Sequence, residues 1–309
     1  MVYLFLLVGL LILLLGGKYL VDGASAIAGK LGLSPGLIGL TVVSFGTSAP
    51  ELLVSVSAAL KGNSDIALGN VIGSNISNIS LVLGTSAIIF PISLPRSVIK
   101  LDYVFTLVVS ILFYLLAING IISYFEGIIL VTLLILVNFY FFKKIERIPE
   151  DPDDLDMVKI REASIWKSIG LILLGIAGLY WGSDLFVENS IVIAQTFGIS
   201  DRVIGVTIIA IGTSLPELVT SVMAALKKHT DIALGNILGS NMMNILAIIG
   251  ITAIVSPIEV SQIFLTNDFI WMLGFTIVLL PIILTKLRIS RWEGALLVGG
   301  YIFYIALLI

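Results

Sequence analysis

Gly46-Thr47-Ser48-Ala49-Pro50-Glu51 and Gly212-Thr213-Ser214-Leu215-Pro216-Glu217 are one motif written twice, each time inside a membrane-length apolar stretch. Both copies put a carboxylate where hydrocarbon is expected. A Glu at the centre of a spanning helix costs about 2.5 to 3.5 kcal/mol even on insertion scales that treat acids leniently. Something must offset that cost, twice.

The duplication extends well beyond the motif. Sliding the chain on itself by 166 residues aligns Ile38 to Ile79 with Ile204 to Ile245 without a gap, about three in five positions being identical. Shared apolar composition does not generate ungapped polar identities such as Asp65 to Asn70 against Asp231 to Asn236. The chain is a duplication.

The 309 residues are 58% hydrophobic and 12% charged, with a mean hydropathy of +1.14. That composition belongs to an integral membrane protein. Spans are expected near 1–29, 35–60, 65–90, 98–118, 121–142, 164–196, 202–226, 231–256, 263–286 and 291–309. The first and sixth are longer than a bilayer needs and are expected to tilt. Met1 to Leu15 lacks the basic start and cleavage site of a signal peptide and reads as the first half of a retained helix.

Each half then holds five spans, an odd number, so the second half enters the membrane from the opposite face. Loop charges orient it. With the N-terminus outside, the inside loops gather Lys30, Arg96, Lys100, Lys143, Lys144, Arg147, Lys159, Arg161, Lys167, Lys227, Lys228, Lys286, Arg288 and Arg291, against Lys61 and Arg202 outside. The fold expected is an all-α membrane protein of ten transmembrane helices in two inverted five-helix repeats, residues 1–142 and 163–309. A cytoplasmic linker, 143–162, joins them, and both termini lie outside. Inverted repeats place a transport site near the midplane, at the repeat interface.

Pro50 and Pro216 have no N–H for the carbonyls of Gly46 and Gly212, so both helices are expected to break there. Freed carbonyls lining a cavity are natural partners for a cation. Thr47 and Ser48 share a helical face with Glu51, and Asn70, Ser74 and Asn78 form a stripe along the next span. The second half supplies Thr213, Ser214 and Glu217 with Asn236, Ser240 and Asn244. Every one of these side chains offers a hard oxygen and none is basic, which selects Na⁺ or Ca²⁺ over a soft transition metal. The chain has no cysteine.

No Lys or Arg lies in the interior of the four motif-bearing spans, Arg202 standing at the outer edge of one, and Lys61 is ten residues from Glu51, about 15 Å along a helix. Two facing carboxylates without a basic partner repel each other, so they hold a cation or a proton. Ca²⁺ balances two charges, and Na⁺ ions over the same oxygens do so too. Competition for the same carboxylates is the physical core of an antiporter.

Other polar residues have more ordinary readings. Asp65 and Asp231 read as helix caps, and Lys18, Asp22, Asp184 and Glu188 as pairing with one another or packing in the long spans. His229 reads as a solvated loop residue. The acids of Glu150 to Asp156 lack the Gly and terminal Glu of a calcium-sensing loop and read as solvated linker. Asn75-Ile76-Ser77 and Asn78-Ile79-Ser80 match the glycosylation pattern but fall inside a span.

The paired Gly-Thr-Ser-x-Pro-Glu elements, each followed by Gly-Asn-x-x-Gly-Ser-Asn at Gly69 to Asn75 and Gly235 to Asn241, resemble the sodium/calcium exchanger branch of the cation/calcium exchanger superfamily. The likeness is to its compact prokaryotic and archaeal members and covers essentially the whole chain. It implies a core of helices two, three, seven and eight, with the first and sixth sliding across it to alternate access. It also implies as ligands Thr47, Ser48, Glu51, Ser74 and Asn78, with Thr213, Ser214, Glu217, Ser240 and Asn244, and the backbone carbonyls of Ser44 and Ala210. Close relatives often carry Asp at the position of Asn244, and potassium-dependent ones carry acids there. Proton-coupled relatives usually place Glu at the positions of Gly73 and Gly239.

The function expected is Na⁺/Ca²⁺ antiport, with Na⁺ influx driving Ca²⁺ out of the cell. A Ca²⁺/H⁺ exchanger is the alternative. A passive channel is disfavoured because a kinked, carboxylate-lined centre binds too well to conduct fast, and an intramembrane enzyme because no His pair or activated nucleophile is present. The partners expected are Na⁺ and Ca²⁺ as substrates and the bilayer of the cell membrane. Neither a cofactor, a protein partner nor nucleic acid is implied.

Overall fold

The computed structural model describes residues 1–93, 99–143, 164–197 and 210–308. Residues 144–163, which include nearly all of the expected linker, and the first part of the span expected at 202–226 lie outside the described residues.

Helices dominate. Among the described residues seven are long and apolar enough to cross a membrane: α1 (Val2–Leu31), α4 (Ser64–Ile89), α6 (Tyr124–Phe141), α7 (Ile165–Thr196), α10 (Thr230–Val255), α11 (Phe264–Ile282) and α12 (Arg291–Leu308). An eighth candidate is broken, α2 (Pro35–Thr47) bending by 45° into α3 (Ala49–Leu60). Shorter apolar helices are α5 (Leu101–Ala117) and α9 (Leu215–Leu226), with a single turn, α8 (Ala210–Thr213), preceding α9.

Local sequence sets the boundaries. Gly32 closes α1 in the left-handed conformation (φ 64°) that costs a glycine nothing. Two residues later Ser34 accepts a hydrogen bond from Leu37 N at 3.3 Å and Pro35 opens α2 with its φ preset. Asp65 and Asp231 make no N-cap bonds; the N-cap positions are Asn63 and His229, and both acids sit in the first turn. Their charges act there on the positive helix end, which corrects the capping expectation. His229 is half-buried, not solvated as expected, and burial with the Lys227 ammonium nearby lowers its imidazole below the usual range.

α4 and α10 form the centre of the protein. Some 72% and 83% of their apolar windows are buried by protein, against 22 to 33% for the other five long helices that face outward. Those outward helices carry their apolar side chains toward lipid, as Leu4, Leu7, Leu11, Leu173 and Leu174 do. Both central helices widen into a π turn at the same repeat position, Asn78–Val82 and Asn244–Ile249, a distortion often found at functional sites.

Outside this core α1 and α7 pack antiparallel along a glycine seam. A Cβ at Gly16 would lie 2.7 Å from Leu179 N and one at Gly175 2.6 Å from Leu20 N, so backbone meets backbone. Small residues permit this approach where lipid removes the hydrophobic drive for helix association. Asp22 on α1 pairs with Lys227, beyond the end of α9, and not within the group of Lys18, Asp184 and Glu188, which are exposed.

Among the described residues four two-residue strands close the fold. β1 (Ile92–Ser93) pairs antiparallel with β4 (Arg288–Ile289), and β2 (Ile121–Ile122) with β3 (Ile258–Glu259). Each ribbon takes one strand from either half of the chain.

Candidate cation site

Both Gly-Thr-Ser-x-Pro-Glu motifs break their helices, at Ser48 (φ −87°, ψ 6°) and at Ser214 (φ −89°, ψ 5°). Pro50 and Pro216 fall in the first turn of the helices that follow, where a missing N–H costs no hydrogen bond. The Gly212 carbonyl is taken by Ser183 Oγ of α7 at 2.9 Å. The repeat-related position on α1 is Gly17, which has no hydroxyl to offer Gly46. Glu51 and Glu217 thereby enter the first turns of α3 and α9, at positive helix ends that favour a carboxylate.

Both carboxylates are fully buried. Glu217 Oε1 accepts from Ser48 Oγ at 2.9 Å and from Ser240 Oγ at 3.4 Å. Glu217 Oε2, both carboxylate oxygens of Glu51, Asn78 Oδ1, Asn244 Oδ1 and Ser74 Oγ are buried without a hydrogen-bond partner. Around them Thr47 Oγ1 donates to Asn236 Oδ1 at 3.1 Å and lies 3.4 Å from Ser240 Oγ. Ser77 and Ser214 share a hydrogen bond at 2.8 Å. All of these contacts except Ser240 to Glu217 join one half of the chain to the other.

A layer behind fixes the broken helices. Asn70 Nδ2 donates to the Glu51 carbonyl at 3.1 Å and to Ser55 Oγ at 2.9 Å, tying α3 to α4. Asn236 Nδ2 does the same for α9 and α10, to the Glu217 carbonyl at 3.5 Å and to Ser221 Oγ at 3.0 Å. The carboxylates therefore sit on a rigid frame and not on loops.

Leaving a buried polar group without a partner costs about 1 to 3 kcal/mol, and more when it is charged. Here five of the unpartnered atoms are acceptors only, two of the residues are acids, and no Lys or Arg occurs in α2, α3, α4, α8, α9 or α10. Cations are the natural partners for such oxygens. Among the described residues no three His, Cys, Asp or Glu side chains gather, so the donor set is two carboxylates among neutral oxygens. Such a set suits an ion that binds and leaves.

The sequence-derived residues are distributed as follows. Thr47, Ser48, Glu217 and Ser240 form one contact network, and Glu51, Ser74, Asn78 and Asn244 supply the unpartnered oxygens. The Ser44 carbonyl accepts from Ser48 N at 3.0 Å and Thr47 Oγ1 at 3.3 Å. Ala210 opens α8 and Thr213, half-buried, ends it. Sequence reasoning missed the contacts of Asn75, Asn241, Ser55, Ser221 and Ser77. The first four recur across the repeat, which was the available signal; Ser77 faces Met243 in the alignment and gave none.

The sequence model of the family described as "Sodium/calcium exchanger protein" matches residues 1–143 and 167–309. The chain is 40% identical over 308 residues to "Putative antiporter CaxA" of Alkalimonas amylolytica, covering 97% of this chain and 96% of that one. It is 35% identical over 343 residues to "Sodium/calcium exchanger MaX1" of Methanosarcina acetivorans, covering 99% and 98%. A solved structure of the sodium-calcium exchanger NCX_Mj, soaked with Na⁺ and Sr²⁺, superposes with a TM-score of 0.85 at 33% identity, covering 99% of each chain.

Proposed function

The chain belongs to the sodium/calcium exchanger family, and from that premise we propose that it is a secondary active antiporter exchanging Na⁺ for Ca²⁺ by alternating access. The observation that carries this reading is the pair of fully buried carboxylates whose free oxygens lie among neutral oxygen donors, with no Lys or Arg in α2, α3, α4, α8, α9 or α10. Ca²⁺ bound between Glu51 and Glu217 neutralises both. Na⁺ ions occupying the same oxygens do the same work, so the two substrates exclude each other and the empty, doubly charged site is the costly state to move across the membrane. That exclusion couples the two fluxes.

The binding set in this reading is Glu51, Glu217, Asn78, Asn244, Ser74, Ser240, Thr47, Thr213, Ser48 and Ser214, with the carbonyls of Ser44 and Ala210. Ten spans in two inverted repeats, 1–142 and 163–309, frame it, with the termini outside and the 143–162 linker inside the cell. Two features support the inversion. The ribbon β1–β4 maps onto β3–β2 when the halves are exchanged, and the π turns of α4 and α10 begin at related residues.

Radioactive Ca²⁺ uptake into proteoliposomes tests the coupling. Internal Na⁺ is expected to drive uptake well above equal internal K⁺ or an imposed pH gradient. Uptake indifferent to Na⁺ overturns the reading, and uptake that follows the pH gradient replaces it with Ca²⁺/H⁺ exchange.

A further inference from the structure

We propose that Asn75 and Asn241 are positioning residues that set the polarity of the cation site, by fixing which end of the Asn78 and Asn244 amides is left for the ion. The proposal rests on the reading of the site as a cation site and concerns two residues outside the binding set. An amide side chain has an accepting and a donating end of nearly the same shape. Turned the wrong way, Asn78 or Asn244 would present N–H to a cation.

Backbone carbonyls remove the choice, because a carbonyl only accepts. Asn75 Nδ2 reaches the Asn241 carbonyl at 3.5 Å, and Asn241 Nδ2 reaches the Asn75 carbonyl at 3.4 Å. These two reciprocal bonds commit the donor ends of both amides and leave their Oδ1 atoms as acceptors. Asn244 Nδ2 then donates to Asn75 Oδ1 at 3.0 Å, and Asn78 Nδ2 to Asn241 Oδ1 at 3.1 Å. What remains of Asn78 and Asn244 is Oδ1 in each case, buried and without a partner.

The orientation of the two inner amides is thus dictated by main chain, through one intermediate amide on each side. Asn75 and Asn241 are both 1% exposed, so water does not compete for these bonds. The four residues also link α4 to α10 across the repeat boundary, which makes the relay symmetric under exchange of the halves. In a site with only two carboxylates, two neutral oxygens held toward the ion are a large part of the ligand set, and reversing one converts a ligand into a repulsive group.

A double-mutant cycle on the full-length protein in proteoliposomes tests this. Asn75→Leu is expected to raise the KM for Ca²⁺ about tenfold, with the larger share of the change in KM and not in kcat. Asn244→Ala is expected to do the same. The double variant is expected to match Asn244→Ala alone, because Asn75 acts through Asn244. Asn241→Leu with Asn78→Ala gives the second, independent cycle, and Asn75→Ser removes the same amide with a smaller side chain should Asn75→Leu fail to insert. An unchanged KM in Asn75→Leu or Asn75→Ser, or effects that multiply in the double variants, overturns the relay while wild-type exchange leaves the functional reading standing. Wild-type protein that moves no Ca²⁺ against any gradient overturns the functional reading instead.

Discussion

Glu51→Gln and Glu217→Gln are each expected to cut Na⁺-driven Ca²⁺ uptake by about a hundredfold or more, while the protein inserts and folds. Removing one partner from a buried charge interaction typically costs about 3 to 5 kcal/mol, and about 2.7 kcal/mol already corresponds to a hundredfold. Gln keeps the shape of Glu, so the loss is one of charge and polarity. The two sites differ in what the new amide meets. At position 217 the Ser48 and Ser240 hydroxyls, which now donate to Oε1, can rotate to accept from it. At position 51 neither oxygen has a partner, so the amide N–H enters a group of acceptors and competes directly with the cation. Both variants remove a buried negative charge, so without ions their melting temperatures should equal or exceed that of the wild type. The rise in melting temperature on adding Ca²⁺ should shrink in both, as linkage requires when binding to the folded state weakens. Melting curves with and without Ca²⁺, alongside the flux assay, check both parts. Wild-type flux in either variant would remove that carboxylate from the site.

Much of this site was legible in the sequence because membranes make polar residues conspicuous. Two acids and a stripe of Ser and Asn in apolar helices stand out against the composition, and the 166-residue register placed each one opposite its mate. Helix breaks were legible through Pro50 and Pro216, although they fall two residues earlier, at Ser48 and Ser214, because proline is at ease in a first helical turn. Contacts between the halves were not legible. Nothing local to Asn75 says that it answers Asn241, since that bond depends on how closely α4 approaches α10. The asymmetries were equally hidden. Ser183 caps the Gly212 carbonyl while Gly17 has nothing for Gly46, and Ser77 holds Ser214 while Met243 has no hydroxyl for Ser48. As a result two carboxylates that the duplication made equivalent have different surroundings. Asp22 misled for a related reason: its partner, Lys227, is distant in sequence, and a helix-by-helix reading favours neighbours.

Gly175→Val is expected to abolish exchange and to lower the melting temperature markedly, whereas Gly170→Val on the same helix is expected to leave both near wild type. The contrast isolates close approach from helix propensity, because both substitutions put the same β-branched residue into α7. A Cβ at Gly170 meets nothing within 4 Å. At Gly175 it would lie 2.6 Å from Leu20 N and 2.8 Å from Leu20 Cα, distances that only a backbone shift relieves. Gly16 is the reciprocal position on α1, with Leu179 N at 2.7 Å, and Gly16→Val should reproduce the effect. Separating the pair also disturbs the site, since α7 touches both broken helices. Ile176 lies against Gly46, Val187 against Gly212, and Ser183 caps the Gly212 carbonyl. A helix that contacts both breaks is placed to couple them, so a wedge at its seam should disturb the candidate site without altering any residue proposed to bind the ions. Flux and thermal unfolding of the three variants decide the matter. Normal exchange in Gly175→Val would mean that α1 and α7 can part without consequence, and that the glycine seam serves packing alone.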